Sequence, residues 1–326
     1  MAVRLVNLLV LGTALLPLPT AVAYADDGPP PTLAAAGRLR PPETVERLAS
    51  AVRLQVLVSV RGYAAPASER NRWQPIYDAT PDMRHLDFGT DLGSYDTRGP
   101  LAVSGEALRR SIQRLVREED VDNVAIVSVS QGGLVTDEAF RAGLSSRDNV
   151  TTWTTLGSPL NGSSTARLVR DADRVASALG AHRELAALVE PLGAGLDDPA
   201  LADLARERRF VAPPGVRFTQ FWALTDPLVS AADANVSGAT VRTLTPVVVD
   251  AHGGQIRDPR TRPLVVDAIR GRRADPPWWE SAVASLLAPA SDVLRASIYA
   301  TLAVAFVTTA VVIRWLALPL ARRWPA

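Results

Sequence analysis

The sequence predicts an α/β fold in which a mostly parallel sheet is covered by helices on both faces. Short segments rich in β-branched residues alternate with helical patterns along the chain, and this alternation is typical of parallel sheets. The segments at residues 54–60 and 123–129 are rich in valine and other apolar residues, as expected for strands that are buried on both faces. Of the 326 residues, roughly 270 remain when the two apolar ends are set aside, which is enough for one large domain.

The individual elements follow from these patterns. Strands are predicted at residues 54–60, 84–88, 123–129, 150–156, 217–224 and 247–250, and helices at residues 43–52, at residues 104–119 and from Gln131 onward. An alanine-rich helical insertion is predicted at residues 165–209, interrupted by a Pro/Gly break at residues 190–199. This insertion is either a lid that covers an apolar site or a set of helices that pack on the sheet.

The N-terminal end has the three parts of a secretory signal peptide. Arg4 precedes an apolar run at residues 5–18, and small residues at 21–25 predict cleavage after Ala23 or Ala25. The alternative is an uncleaved signal anchor. We therefore expect a signal peptide at residues 1–25, a proline-rich spacer at residues 26–42, and a folded domain at residues 43–272 that is exported.

The C-terminal end predicts a single transmembrane helix. Residues 297–313 carry no charge, and Trp315 and Trp324 suit the membrane interface. We expect a connector at residues 273–296, the span at residues 297–320, and a cytoplasmic tail at residues 321–326, because the arginines that follow the span hold it inside. Both ends thus predict a single-pass protein of the cell membrane with an extracytoplasmic domain. The alternative is a buried C-terminal helix of the domain.

Charge and cysteine content exclude several classes of protein. The formal net charge is +1, and the 35 basic residues are all arginine, scattered among 34 acids without a dense stripe. No nucleic-acid partner is expected, because binding to phosphates requires clustered positive charge. The chain has no cysteine, so it has neither disulfides nor a thiolate metal site. We expect no cofactor and no metal, and the sequence leaves the oligomeric state open.

A buried strand that turns sharply into a helix at Ser130 is the strongest motif. Gly132 and Gly133 follow the serine, and Ser128 stands where a glycine is usual. Such a nucleophile elbow holds the serine in a strained conformation that exposes its hydroxyl, and small neighbours are required because strand and helix nearly touch. We therefore interpret Ser130 as a nucleophile. The alternative is a plain strand-to-helix turn.

A serine nucleophile needs a base and an acid that orients it. Of the three histidines, only His252 lies in a glycine-rich loop beyond the last predicted strands, which suits a base. Asp226 follows a predicted strand and lies between Ser130 and His252 in the chain, an order known for such triads. Asp226 could instead cap a turn with Pro227, and Asp233 is the second candidate for the acid.

The oxyanion that forms during acyl transfer needs two N–H donors. The backbone of Gln131, at a helix N-terminus, is expected to supply one, and the loop after the strand at residues 54–60 the other, with Tyr63 as candidate. The loop at residues 157–162 is expected to shape the wall of the site. Trp73 and Tyr77 either line a pocket or belong to the core.

Five segments together resemble the α/β-hydrolase superfamily, of the bacterial lipase and esterase type. They are Val-Leu-Val-Ser-Val-Arg61-Gly62-Tyr63, Val-Ser-Val-Ser130-Gln131-Gly132-Gly133, Thr-Leu-Gly157-Ser158-Pro159, Ala-Leu-Thr-Asp226 and Asp-Ala-His252-Gly253. The resemblance covers residues 50–270 and implies an α/β-hydrolase fold. It also implies a triad of Ser130, Asp226 and His252, with Tyr63 and Gln131 at the oxyanion hole. Lipases of this type usually carry His-Gly before the oxyanion residue, whereas this chain has Arg61 in place of the histidine.

Three functions remain open at this point. The first is a membrane-anchored serine hydrolase that cleaves lipid or other acyl esters, and the second is an acyltransferase in which an alcohol replaces water. The third is a catalytically silent α/β-hydrolase-like protein that binds partners at the envelope, a hypothesis that the departure at Arg61 supports.

Overall fold

The computed structural model describes residues 54–66, 68, 72–192, 195–234, 240–244, 252, 256–275 and 278–323. The predicted signal peptide, the spacer, the helix at residues 43–52 and the strand at residues 247–250 lie outside these residues. Within the described part, the chain forms a single sheet flanked by helices.

Six parallel strands form the sheet, in the spatial order β2-β1-β3-β4-β5-β6. They are β1 (Gln55–Val60), β2 (Arg84–Asp87), β3 (Asn123–Val129), β4 (Val150–Leu156), β5 (Arg217–Ala223) and β6 (Thr240–Leu244). The first five coincide with predicted strands. The sixth was not predicted, because its sequence Thr-Val-Arg-Thr-Leu is short and carries a charge.

Helices cover both faces of this sheet, which confirms the predicted fold class. The helices are α1 (Gln74–Ala79), α2 (Leu101–Glu119), α3 (Gln131–Arg141), α4 (Ser164–Ala178), α5 (His182–Val189), α6 (Pro199–Leu204), α7 (Ala231–Ala234), α8 (Arg262–Ile269) and α9 (Trp278–Arg323). Two short 3₁₀ turns, Ser146–Asp148 and Glu190–Leu192, lie between them.

Alternate side chains of each central strand enter two different apolar clusters, because successive residues of a strand point to opposite faces. In β1, Val56 and Val58 pack in the cluster that contains residues of α2 and α3. Leu57 packs on the other face, in the cluster that contains residues of α1 and α8. The sheet is therefore the middle of three layers, and this explains why β1 and β3 are rich in valine, leucine and isoleucine.

Strand register places the candidate site residues at one edge of the sheet. Val60 of β1 pairs with Ser128 of β3, and Val129 pairs with Leu156 of β4. Leu156 in turn pairs with Phe221 of β5. The loops that follow these strands consequently emerge side by side at the carboxyl ends, which is where open α/β sheets bind their ligands.

The helical insertion packs against the domain core. Ala176, Ala181, Leu185 and Leu201 are buried in the same apolar cluster as α2 and α3. The N-terminus of α4 is capped by Ser163, whose hydroxyl accepts the Ala166 N–H at 3.1 Å. The hypothesis that this insertion moves as a lid stays a prediction.

The C-terminal helix α9 is one continuous helix of 46 residues. Its segment Ser285–Trp315 is long and apolar enough to cross a membrane, and only 6% of the apolar window is buried. One face nevertheless packs on the domain, where Ala310 is fully buried and Phe306 lies against the core. Three charged residues, Asp292, Arg295 and Arg314, lie inside this otherwise apolar segment.

Candidate active site

Ser130 lies at the sharp turn between β3 and α3. Its backbone has φ 53° and ψ −126°, a conformation that non-glycine residues adopt only at an energetic cost. Its N–H donates to the Leu156 carbonyl at 2.9 Å, so the neighbouring strand holds the turn. The predicted elbow is present in the structure.

Small residues allow this turn to form. A Cβ on Gly132 would lie 2.6 Å from the Arg61 carbonyl oxygen and still closer to that of Val60, so only glycine fits between α3 and β1. Ser128 is fully buried, and its hydroxyl accepts the indole N–H of Trp153 at 3.0 Å. The serine that replaces the usual glycine is thus accommodated by a hydrogen bond to the core.

His252 lies within hydrogen-bonding distance of both predicted partners. Its Nε2 is 2.8 Å from Ser130 Oγ, and its Nδ1 is 3.0 Å from each carboxylate oxygen of Asp226. In the neutral imidazole, Nδ1–H donates to the carboxylate and Nε2 accepts the serine proton. The structure therefore brings together the three side chains that the sequence singled out.

The loop after β5 orients the Asp226 carboxylate. This residue is fully buried, and its Oδ1 accepts the backbone N–H groups of Leu228 at 2.9 Å and Val229 at 3.0 Å. The two alternatives for Asp226 are therefore compatible, because the same carboxylate caps the turn and contacts His252.

Asp233, the second candidate for the acid, has other partners. Its Oδ2 accepts the Ser164 hydroxyl at 2.6 Å and the Ser164 N–H at 3.0 Å, and Arg167 lies 3.5 Å from its other oxygen. These contacts link Asp233, which lies in α7, to the first turn of α4.

Gly157 is a residue of the site whose role the sequence did not reveal. It has φ +56°, and a Cβ added there would lie 2.8 Å from Asp226 Oδ2 and 3.4 Å from His252 Nδ1. Any side chain at this position would enter the space that the carboxylate and the imidazole share. In the sequence, only the position of Gly157 after a predicted strand, in a glycine-rich loop, indicated that it lies near the site.

The side chain of Tyr63 is engaged away from Ser130. Its hydroxyl donates to Asp198 at 2.5 Å and accepts the Gly195 N–H at 3.0 Å. Burial, together with the hydrogen bond to Asp198, raises the pKa of the Tyr63 phenol to about 12. The phenol is therefore neutral and bound to Asp198 and Gly195, so the prediction that Tyr63 supplies an oxyanion donor concerns its backbone N–H.

Gln131 is fully buried beside Ser130, at the N-terminus of α3. Its side-chain amide donates to the Thr97 carbonyl at 3.1 Å and lies 3.4 Å from the Tyr95 hydroxyl. As with Tyr63, the side chain contacts a neighbouring loop, and the prediction of an oxyanion donor concerns the backbone N–H of Gln131.

Arg61 forms a buried ion pair with Asp87. Its Nε lies 3.3 Å from Asp87 Oδ1, and both side chains are almost fully buried. Burial raises the pKa of Asp87, while nearby Thr90 and Arg61 act in the opposite direction. The Arg61 carbonyl accepts the Tyr95 hydroxyl at 3.0 Å. Arg61 thus anchors the loop that carries Tyr63, in the place of the usual histidine.

The other two histidines have partners outside the site. His85 Nε2 lies 2.9 Å from Thr80 Oγ1 and from the Thr80 carbonyl, and its ring stacks on Tyr77. His182 Nδ1 lies 2.6 Å from Asp173. Tyr77 is itself buried in the apolar cluster that contains residues of α1 and α8, so it belongs to the core.

A cavity of about 320 Å³ opens beside Ser130 and His252. Apolar side chains form much of its wall, among them Trp73, Val129 and Ile256, and Leu228 lies at the partly exposed rim. Arg72 also lines this cavity. The volume lies at the lower end of the range for small-molecule sites.

The parallel sheet, the strained serine between β3 and α3, and the chain order Ser-Asp-His together are diagnostic. The chain has the α/β-hydrolase fold. The predicted fold is therefore confirmed, whereas the lipase and esterase type and the roles of the site residues stay predictions.

Solved structures of two esterases and a lipase are similar to the chain at low sequence identity. A metagenomic carboxyl esterase has 16% identity over 72% of this chain and 76% of that protein, with a TM-score of 0.44. An esterase from Exiguobacterium antarcticum has 14% identity over 67% of this chain and 92% of that protein, with a TM-score of 0.43. Lipase B from Aspergillus fumigatus has 17% identity over 69% of this chain and 57% of that protein, with a TM-score of 0.41.

No protein-family profile matches the chain, and no curated protein matches it in sequence. The likeness to solved structures concerns the fold alone, because one fold supports many activities. The activity must therefore be argued from the site.

Proposed function

We propose that the protein is a serine hydrolase that cleaves carboxylic esters. The observation that supports this most directly is the continuous chain of hydrogen bonds from Ser130 Oγ through the His252 imidazole to the Asp226 carboxylate, with separations of 2.8 and 3.0 Å. This arrangement makes an alcohol oxygen basic enough to attack an acyl carbon at neutral pH.

The proposed reaction has two halves. Ser130 Oγ attacks the ester carbonyl while His252 Nε2 takes its proton; the bond to the leaving alcohol then breaks, and His252 returns the proton to that alcohol. Water, deprotonated by the same imidazole, next attacks the acyl-enzyme and releases a carboxylic acid and free Ser130. Asp226 holds the imidazole and stabilises its positive charge throughout.

The backbone N–H groups of Tyr63 and Gln131 are the proposed oxyanion donors. Both residues flank Ser130, and both of their side chains bind elsewhere. The position of Gln131 at the N-terminus of α3 also favours negative charge, because the helix dipole is positive there.

The proposed substrates are acyl esters in or near a membrane. The apolar segment of α9 can cross a bilayer, and the signal-peptide pattern at residues 1–25 predicts export. We therefore place the domain on the extracytoplasmic side of the cell membrane. The modest cavity of about 320 Å³ accommodates a short acyl group fully, so a longer chain would extend past Leu228 at its rim.

A fluorophosphonate probe tests the proposed activity, since it reacts with activated serines. We expect the full-length protein in detergent to be labelled, and Ser130→Ala to lose both the label and hydrolysis of nitrophenyl esters, by about a millionfold in kcat. A series of acyl lengths then measures the depth of the pocket. Folded wild-type protein that takes no label and hydrolyses no ester would exclude this function in favour of a binding role.

A further inference from the structure

Polar side chains on one face of α9 bind the loop that carries Asp226. We define this acid loop as residues 224–232. Ser291 Oγ donates to the Leu224 carbonyl at 2.8 Å, and Arg295 Nε donates to the Asp226 carbonyl at 2.9 Å. Ser291 and Arg295 are four residues apart and therefore lie on the same face of the helix.

Tyr299, one further turn along the same face, donates its hydroxyl to the Pro227 carbonyl at 2.7 Å. Three successive turns of α9 thus supply donors to the backbone of the acid loop. Each contact satisfies a carbonyl that the tight turn after β5 leaves without a partner in the sheet.

Asp292 extends the contact from the neighbouring position on the helix. Its Oδ1 accepts the Ala231 N–H at 3.0 Å, at the start of α7, and also lies 2.6 Å from Arg295 Nη1. The Arg295 side chain is only 8% exposed. The two charges are therefore paired with each other and with the backbone of the acid loop.

These contacts explain why Asp292 and Arg295 occur inside an apolar segment. Charged residues in such segments are costly, and they are retained when they are paired and serve a function. Ser285–Trp315 has 31 residues, about 46 Å of helix, whereas about 20 residues cross a hydrocarbon core of about 30 Å. The segment is therefore longer than a bilayer span requires, and the residues that bind the acid loop, from Ser291 to Tyr299, lie in its first half.

We propose that Arg295 is a positioning residue that holds the Asp226 carboxylate in line with His252, which makes α9 a part of the catalytic unit. The inference rests on the proposed function. The Asp226 carboxylate is held by two N–H groups of its own turn, those of Leu228 and Val229. The orientation of the carboxylate consequently depends on the backbone that Arg295 fixes from outside.

The contacts of α9 farther along the helix are separate from this role. Arg314 lies 3.8 Å from Glu184 of α5, so it contacts the insertion and not the acid loop. Leu294 adjoins Arg295 in sequence but is 63% exposed. Two matched controls follow. Changing Arg314 tests whether any weakened contact between α9 and the domain lowers activity, and changing Leu294 tests whether any substitution next to Arg295 does so.

The first measurement compares kcat and KM of full-length variants in detergent. We expect Arg295→Ala to lower kcat about a hundredfold, the loss typical of an ångström-scale misplacement, with KM nearly unchanged. Arg295→Lys should recover part of kcat, because an ammonium group can still donate to the Asp226 carbonyl. Leu294→Ala and Arg314→Ala should match the wild type. Equal kcat in Arg295→Ala and wild type would overturn the inference, as would a lysine variant no better than alanine.

The second measurement does not depend on activity. Amide hydrogen exchange should accelerate in the acid loop of Arg295→Ala, and not in β3 or in either control variant. Unchanged exchange at residues 224–232 would overturn the inference even if ester hydrolysis is established. Conversely, wild-type protein without label or hydrolysis would remove the proposed function, while the exchange data still decide whether Arg295 orders the acid loop.

Discussion

Gly157 lies so close to Asp226 that a Cβ on the glycine would be 2.8 Å from the carboxylate oxygen Oδ2. The same Cβ would lie 3.4 Å from His252 Nδ1. The glycine therefore keeps open the space in which the acid and the base of the proposed triad meet.

Gly157→Ala is accordingly expected to lower kcat about a hundredfold, because the added methyl group displaces the carboxylate from the imidazole. Steady-state hydrolysis of a nitrophenyl ester measures this loss. Gly143→Ala is the matched control, since Gly143 also has positive φ, at +109°, but a Cβ there would meet no atom within 4 Å. If both variants lose activity equally, backbone strain and not the contact with Asp226 is responsible.

Arg61→Ala is expected to reduce the free energy of unfolding by about 3–5 kcal/mol, because it leaves the Asp87 carboxylate buried without its counter-ion. Thermal or urea unfolding of the full-length protein measures the change. Arg110→Ala breaks an exposed pair with Glu106, at 3.4 Å, and should cost about 1 kcal/mol or less. A loss at Arg61 no larger than that at Arg110 would contradict the anchoring role of Arg61.

Tyr63→Phe separates the phenol from the backbone donor. Because the Tyr63 hydroxyl binds Asp198 and Gly195, its removal should lower kcat less than about tenfold, whereas loss of an oxyanion donor costs about a hundredfold to a thousandfold. The variant should also unfold at a lower temperature, since it gives up two hydrogen bonds. A thousandfold loss of kcat without a change in stability would assign the oxyanion contact to the phenol.

His182 provides a prediction of pH dependence. Its hydrogen bond to Asp173 raises the pKa of the imidazole above its ordinary value. A histidine whose pKa is raised by folding stabilises the fold fully below its unfolded-state pKa, and this contribution is lost as the pH rises through the folded-state value. The pairing of α4 with α5 should therefore weaken as the solution becomes more alkaline.

NMR titration of the imidazole measures this pKa directly. In Asp173→Asn the pKa of His182 should fall toward its ordinary value, whereas Asp197→Asn should change it less, since Asp197 lies 3.7 Å away. An unchanged titration in Asp173→Asn would show that the hydrogen bond does not form in solution.

Local sequence patterns were sufficient to predict most strands of the sheet and the turn at Ser130. The strands β1 and β3 are short runs rich in valine, and burial on both faces of the sheet favours that composition. The elbow at Ser130 could be recognised because strand, turn and helix are adjacent in sequence. By contrast, β6 has no such apolar run, and its strand conformation depends on pairing with β5.

The sequence by itself therefore determined the parallel α/β architecture, the elbow and the three candidate triad residues, because periodicity, chain order and the scarcity of histidine are properties of the chain alone. Only the tertiary structure decided that Arg61 pairs with Asp87, that Gly157 adjoins Asp226, and that Arg295 binds the Asp226 carbonyl from 69 residues away. Such contacts depend on which strand ends become neighbours in the sheet and on where α9 packs. A local sequence pattern carries no information about contacts between residues so far apart in the chain.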